Sequence, residues 1–316
     1  MRKDRNNWRP QLWVMAAITA LVVSGCTNSM IARSTPSSVS ETYPIFNQVL
    51  TPILATTQLR LGTQRVAFLL TTEQSIIKIP KATVTSTFHS DGTIKETKQA
   101  LFNLWPYGLK GAYSTTLNFD QIGIWRLDIS VEGSEGYLGG SIDIDVVDRL
   151  VIPDIGSRPP LSLNKTVRST THLTDVTTDS TPDLDLYQMT IREAIATELP
   201  TVIVFAAPGF CTSPTCGPQV DTLSELKTLY WGKANFIHVE LYNNPREIKA
   251  GFDRKVFHPL VVEWGFTEIP SWDNESWTFI LNSDGQIAEK FEGFVTLSEL
   301  EKALKEVISG IQHFKS

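Results

Sequence analysis

Six consecutive residues, Thr201-Val202-Ile203-Val204-Phe205-Ala206, constrain this chain more than any other stretch. β-Branched and aromatic residues with no polar interruption suit a strand covered on both faces, and such strands belong to layered α/β sheets rather than to sheets with one wet side. Two cysteines, Cys211 and Cys216, follow at once. Beyond them Val220, Leu223, Leu226, Leu229 and Tyr230 recur at helical spacing, and residues 236–241 form a second apolar run. Residues 277–281 and 286–291 read as a hairpin around Asn282-Ser283-Asp284-Gly285. Two capping boxes, Thr190 with Glu193 and Thr296 with Glu299, open a short helix before the first strand and a closing helix that turns Leu300, Ala303, Leu304, Val307 and Ile308 inward. The expected order is βαβ, hairpin, helix.

The cysteine pair therefore lies at a strand-to-helix corner. Unpaired amides and a positive partial charge in the first turn of a helix favour a thiolate over a thiol. Four residues separate the two cysteines. Were both in regular helix, their Cα atoms would be roughly 8 to 9 Å apart, beyond the approximately 7 Å reach of a disulfide. Cys211 is thus expected in the loop. Pro214 suits the first helical position after Ser213 as N-cap, which puts Cys216 in the first turn, and Gly217 and Pro218 keep that turn pliable.

These features, from residue 203 through Cys211-Thr212-Ser213-Pro214-Thr215-Cys216-Gly217-Pro218, resemble the thioredoxin superfamily over roughly residues 185–310. The resemblance implies a thioredoxin-like α/β domain at residues 186–312 with Cys211 and Cys216 as its exchanging pair and no cofactor. It leaves open which cysteine attacks. Cys216-Gly217-Pro218 is similar to the start of the thioredoxin Cys-Gly-Pro-Cys motif, with Gln219 where the second cysteine would stand. Pro208-Gly209-Phe210-Cys211-Thr212 is also similar to the bacterioferritin-comigratory type of peroxiredoxin, in which the first cysteine meets peroxide. There Pro208 takes the place of a threonine, and no arginine follows Arg254 to polarise peroxide. Where thioredoxins carry a cis-proline before the hairpin, this chain has Ser276, with Pro270 six residues earlier. Pro208, Pro218 and Ser276 are accordingly the residues expected to shape the site.

The beginning of the chain sets the compartment. Arg2, Lys3, Arg5 and Arg9 precede an apolar run from Leu12 to Val23, too short to span a bilayer as a mature helix, which reads as a secretory signal over residues 1–25. It ends in Leu21-Val22-Val23-Ser24-Gly25-Cys26, which resembles the lipobox of bacterial lipoproteins. That resemblance implies cleavage before Cys26 and a lipid on its thiol, holding the protein on the outer face of the cell membrane at roughly 0.8 kcal/mol per buried methylene. Residues 26–44, rich in Ser, Thr and Pro, read as a flexible tether. The chain has 3 cysteines, so with Cys26 acylated one even pair remains in an oxidising compartment.

Residues 45–150 read as an all-β domain. Trp125, Leu127, Ile129 and Val131 alternate with Arg126, Asp128, Ser130 and Glu132, and Ile142, Ile144 and Val146 with polar neighbours, the period of half-buried strands. Segments 66–70 and 82–88, with the Asp91-Gly92 turn, complete the pattern of an antiparallel immunoglobulin-like sandwich. His89, its one histidine, is expected to be solvated. Residues 151–185, with Pro153, Gly156, Pro159, Pro160 and Pro182, read as a linker long enough to lie across a neighbouring surface. The formal net charge is −6, more negative once the basic leader is removed, which excludes nucleic acid as a natural partner.

The primary expectation is an extracytoplasmic, membrane-anchored thiol–disulfide oxidoreductase acting on cysteine-containing exported proteins or on a redox partner. The alternative from another class is a thioredoxin-like binding protein whose Cys211–Cys216 bridge is structural. Thiol peroxidase and copper chaperone rank below. A copper site would join Cys211 and Cys216 to His258, but Sco-type chaperones have three residues between their cysteines rather than four, and no metal is expected. His238 is expected to be a strand residue with a hydrogen-bonded ring, and the aromatics Tyr242, Phe252, Phe257 and Trp264 local core.

Overall fold

A computed structural model of the chain describes residues 49–106, 110–133, 136–270 and 272–310. The leader, the lipidation candidate Cys26 and the tether of residues 26–44 lie outside the described residues.

Alternation of apolar and polar side chains builds the first seven strands. They are β1 (Thr51–Leu54), β2 (Gly62–Thr71), β3 (Lys81–Phe88), β4 (Thr93–Leu104), β5 (Gly111–Phe119), β6 (Gly123–Gly133) and β7 (Gly136–Val146). All pair antiparallel, in the order β1-β2-β5-β4-β3-β6-β7. Cut between β4 and β3, that order is the four-plus-three grouping of an immunoglobulin constant-type sandwich. Pairing of β3 with β4 joins the groups into one curled sheet. Its ends meet: Val147 N donates to Leu59 O at 3.0 Å. A Cβ at position 140 would lie 2.0 Å from Leu50 O, so only glycine fits where β7 meets the backbone just ahead of β1. Inside, Trp125 is fully buried, edge-on to Phe88 at 5.4 Å and to Phe119 at 5.0 Å between ring centroids. Tyr113 stacks on Phe68 and donates its hydroxyl to Ile79 O at 2.8 Å, so its polar end is satisfied.

The second sheet holds β8 (Thr201–Ala206), β9 (Asn235–Glu240), β10 (Trp277–Leu281) and β11 (Ile287–Glu292) in the order β11-β10-β8-β9. β8 and β9 run parallel, and β10 is antiparallel to β8 and to β11. Every residue of β8, β9 and β10 is buried, including the polar Asn235, His238 and Glu240 of β9 and Thr278 of β10. Helices α1 (Ile191–Ile195), α2 (Cys216–Leu229), α3 (Pro245–Lys249), α4 (Pro259–Glu263) and α5 (Leu297–Ile308) surround the sheet. Val202 and Val204 face Val220, Leu223 and Leu226 of α2 and Leu300 and Leu304 of α5. On the opposite face Ile203, Phe205 and Phe279 meet Val261, Trp264 and Phe266. Both capping boxes form: Thr190 accepts from Glu193 N and Thr296 from Glu299 N, with each glutamate carboxylate returned to the N-cap amide.

Residues 151–185 are bound along their length to the second sheet's layers. Ser162 Oγ donates to Glu263 at 2.6 Å and accepts from the Trp264 indole at 2.9 Å. Asn164 accepts from Ile191 N at 2.8 Å, capping α1 from outside, and Val176 joins the α2-side core. The sandwich touches the second sheet through partly buried polar contacts. Glu292 accepts from Thr57 N at 2.6 Å and Thr57 Oγ1 at 2.7 Å, Arg65 pairs with Glu299 at 3.0 Å, and Asp154 lies between Arg60 at 2.5 Å and Lys290 at 2.8 Å. The described residues, from Val49 onward, fall in one compact unit.

Trp125 fills the centre of the sandwich, so Trp125→Ala is expected to cost about 3 to 5 kcal/mol, read as a lowered urea midpoint. A loss under about 1 kcal/mol would contradict this packing.

Candidate redox site

β8 ends at Ala206, and the next nine residues fold back over its end before α2 begins. A turn closed by Phe210 N donating to Ala207 O at 2.9 Å starts the reversal. At Gly209 a Cβ would meet Thr178 O at 2.8 Å, so glycine lets the 151–185 segment press against the turn. The carbonyl of Pro208 faces the helix start, 3.9 Å from where a Cβ on Gly217 would lie. Cys211 and Cys216 are bonded, with Cα atoms 6.0 Å apart. Cys216 is fully buried, whereas Cys211 is partly exposed.

The start of α2 differs from the sequence expectation. Thr215, not Ser213, is the N-cap, Cys216 is the first helical residue, and Pro214 lies outside the helix. Thr215 makes no side-chain cap because its hydroxyl is engaged elsewhere: with Ser213 Oγ at 2.6 Å and with the Glu275 carboxylate. Ser213 Oγ in turn lies 3.8 Å from Cys211 Sγ. Pro218 sits in the first turn, where its missing N–H costs nothing, and its carbonyl accepts from Thr222 at 2.8 Å. Gln219 is buried and uses its carbonyl oxygen to accept from Val295 N at 2.8 Å.

Facing the sulfurs is Asn274, which the sequence reading did not single out. Its φ of +53° is left-handed, and its carbonyl oxygen lies 3.5 Å from Cys211 Sγ and 3.7 Å from Cys216 Sγ. Its side chain accepts from Thr212 N at 2.8 Å and donates to Phe210 O at 3.1 Å and to the Tyr242 hydroxyl at 2.8 Å. Ser276, by contrast, is fully buried two residues further on, with its carbonyl accepting from Gly293 N. No cis peptide bond occurs among the described residues. An asparagine in a loop between a turn and a strand has no periodic signature, and only its tolerance of positive φ hints at such a place.

Aromatic groups line the flank. Tyr242 stacks on Phe257 at 5.5 Å, Lys255 sits 5.6 Å above the rings of both Phe210 and Tyr242, and the Trp272 indole donates to Glu275 O at 3.0 Å. Trp277 is buried behind them, while Phe252 and Phe257 are exposed.

Two titratable residues of β9 lie beneath the corner. His238 receives the Tyr187 hydroxyl on Nδ1 at 2.7 Å and donates Nε2–H to Ala206 O at 3.1 Å, and burial pulls it down to about 4. Glu240 accepts from Thr178 N and Oγ1, both at 2.7 Å, and Thr178 Oγ1 accepts from Gly209 N at 3.1 Å, which ties the carboxylate to the turn before Cys211. Burial pushes Glu240 up to about 7 against those donors. A lone acid inside the run 236–241 was the available signal for it. His258 caps α4 through Nδ1, accepting from Leu260 N at 3.2 Å, and burial lowers it to about 4. Among the described residues no three His, Cys, Asp or Glu side chains converge to hold a metal.

No protein-family model matches this chain, and no curated protein matches it. Among solved structures, a thiol:disulfide interchange protein of the thioredoxin family from Chlorobium tepidum is similar over 51% of this chain and 99% of its own, at 13% identity and a TM-score of 0.29. The PKD domain of the human VPS10 domain-containing receptor SorCS2 is similar over 40% of this chain and 98% of its own, at 14% identity and a TM-score of 0.20. An engineered protein is matched over 32% of this chain but only 20% of its own length, at 11% identity and a TM-score of 0.22. At such values the likenesses extend to neither chemistry nor substrate.

The folded-state value of Glu240, about 7, lies above its ordinary 4.5. Between those values the folded protein keeps a proton that the unfolded chain has released, so the contribution of Glu240 to stability is full below about 4.5 and is lost as pH rises to about 7. His238 has the opposite sign: its contribution is full above its ordinary 6.5 and is lost as pH falls towards about 4. Glu240→Gln removes the falling component only. Its stability relative to the parent, from urea midpoints, is expected to improve between pH 5 and pH 8, and a difference that stays constant contradicts the assignment.

Proposed function

We propose that this chain is a lipid-anchored thiol–disulfide oxidoreductase of thioredoxin-like architecture on the outer face of the cell membrane, acting on cysteine-containing exported proteins or a redox partner. The observation that carries the reading is the asymmetry of the bonded pair: Cys211 is within reach of solvent and Cys216 is not. An exchange needs one sulfur that a partner can reach and one that it cannot, so that the mixed disulfide is closed from inside.

The chemistry follows from that placement. A partner thiolate attacks Cys211 Sγ, the Cys211–Cys216 bond breaks, and Cys216 leaves with the electron pair. It leaves as a thiolate at the first position of a 14-residue helix, whose amides and dipole stabilise a negative charge. A second partner thiolate then attacks the partner sulfur of the mixed disulfide and releases Cys211, so the partner is oxidised and the pair reduced by two electrons. In reverse, Cys211 attacks a partner disulfide and Cys216 resolves the product. The burial pattern of β8 to β10 and the two helices on one face agree with a thioredoxin-like layering. For the anchor, the support is the basic start, the apolar run and the small residues before Cys26.

Cys216→Ser in cells is expected to accumulate mixed disulfides on Cys211, and Cys211→Ser about tenfold fewer. Equal trapping, or none from either variant, contradicts the assignment of roles. Cys26→Ser is expected to move the protein from the membrane to the soluble fraction, and continued membrane association overturns the anchor.

A further inference from the structure

A detour of the chain after β9 puts a cation beside the reachable sulfur. From α3 to Phe257 the backbone folds back, and Asn244 ties its far end down: the side chain accepts from Val256 N at 3.0 Å and donates to Arg254 O at 2.8 Å, while Asn243 N donates to Val256 O at 2.7 Å. Lys255, between the two tied residues, is thereby held over the rings of Phe210 and Tyr242, 5.6 Å from each centroid. Phe210 is the residue before Cys211. Phe257 extends this surface, 5.5 Å from Tyr242 on one side and 5.5 Å from Trp272 on the other, and it is 39% exposed rather than the core residue its composition suggests. Lys255 is exposed too, and among the described residues it makes no ion pair, whereas Arg246 of α3 is paired with Asp175 at 3.0 Å.

We propose that Lys255, Phe210, Phe257 and Trp272 form the docking site for the partner chain, and that the site selects exported proteins with an acidic residue within about two residues of the reacting cysteine. This rests on the redox reading above and adds the class of partner it prefers. A partner sulfur at Cys211 Sγ brings the neighbouring residues of its own chain past the Phe210 flank. An extended chain rises about 3.3 Å per residue, so a side chain one or two residues from that sulfur reaches a cation held over the ring next to Cys211. A carboxylate there pairs with Lys255, and an ammonium is repelled. Apolar groups of the partner cover Phe257 and Trp272 and exclude water, which strengthens the charge pair beside them. The rings already hold the Lys255 ammonium, so docking costs less side-chain freedom than capture by an unrestrained lysine.

The sign of the charge is local. Across residues 245–257, Arg246, Lys249, Arg254 and Lys255 outnumber Glu247 and Asp253, in a chain whose formal net charge is −6. Arg254 beside Lys255 adds to its field, and Asp253 subtracts from it. Asp273, on the loop that carries Asn274, also opposes it, since its charge acts on the Tyr242 ring beneath Lys255. The detour therefore attracts an acidic segment that most of the surface repels, and it does so next to the sulfur that a partner can reach.

The test uses the reduced full chain and short peptides with one cysteine, joined as a mixed disulfide to uncharged 2-thiopyridine and carrying either Glu or Lys two residues from that cysteine. Cys211 thiolate bonds to the peptide sulfur, the pyridine thiolate leaves with the electron pair and takes a proton from solvent, and the thione so formed is read by absorbance. Cys216 thiolate then attacks Cys211 Sγ and releases the peptide thiolate. The readout is the rate with the Glu peptide divided by the rate with the Lys peptide, because any change in the reactivity of Cys211 itself scales both and cancels. Relative to the parent, this ratio is expected to fall about tenfold in Lys255→Glu and about threefold in Lys255→Gln, and to rise about twofold in Asp273→Asn. The differences are expected to shrink in about 0.5 M salt. Lys98→Glu, on β4 of the sandwich, makes the same change of net charge and is expected to leave the ratio at the parent's value. A ratio that Lys255 does not move, or that Lys98→Glu moves as far, overturns the docking site. So does an unmoved ratio when Lys255→Glu instead weakens sedimentation of the Cys26→Ser chain with phosphatidylglycerol vesicles or dissociates a dimer, which assigns the patch to a lipid surface or to a second copy. Exchange of the parent with glutathione buffers is measured alongside. A parent that does not exchange overturns the redox reading itself, whereas a parent that exchanges with an unmoved ratio overturns the docking site alone.

Discussion

Asn274 ties together the segments that would otherwise leave the two sulfurs free to separate. Through its side-chain amide it binds the loop after β8 at Phe210 and Thr212 and the end of the β9 segment at Tyr242, while its backbone carbonyl lies against the bonded pair. A loop of this length gains little order from its own contacts, so its conformation is set by what holds it from outside. The left-handed backbone at Asn274 costs on the order of 1 kcal/mol for a non-glycine residue, and three side-chain hydrogen bonds offset it. Cys211 stays accessible because the clamp grips its neighbours and not its side chain.

The rest of the protein bears on that clamp from two directions. From below, Thr178 of the 151–185 segment joins the buried Glu240 carboxylate to the amide of Gly209, so the floor of the corner is built by residues from outside the βαβ unit. From the side, Glu292 at the end of β11 is bonded by Thr57 ahead of β2, and the charge of Glu275 acts on it. Burial pushes Glu292 up to about 7. The sandwich therefore meets the second sheet at the strand next to β10, which continues from the loop carrying Asn274 and Glu275. This is a polar, hydrogen-bonded contact, unlike the apolar cores on either side of it.

What the sequence made legible follows the period of its side chains. Alternation at residues 125–131 placed β6, the unbroken run from Thr201 to Ala206 placed β8, and the paired Thr and Glu residues marked the starts of α1 and α5. Each of those signals is local, because the partner of every hydrogen bond or packing face lies within a turn or a pleat. The start of α2 was misplaced by two residues because the Ser213 hydroxyl, a good cap in isolation, is drawn to Thr215 and Cys211 instead. Asn274, Glu275 and Thr178 act across about 30 to 60 residues of chain through single side chains, and composition and spacing carry no trace of such bonds. Ser276 drew attention by its place before β10, but the residue that touches sulfur is two positions earlier because the loop turns there.

The central claim is that the Cys211–Cys216 bond is made and broken as the protein works. Its most direct measurement is the reduction potential of the pair, from equilibration of the full chain with glutathione buffers of graded composition. An exchanging pair is predicted to fall between roughly −270 and −120 mV, the span of thioredoxin-type proteins, and to equilibrate readily. A potential below roughly −300 mV with slow exchange would mark the bridge as a structural bond and contradict the account.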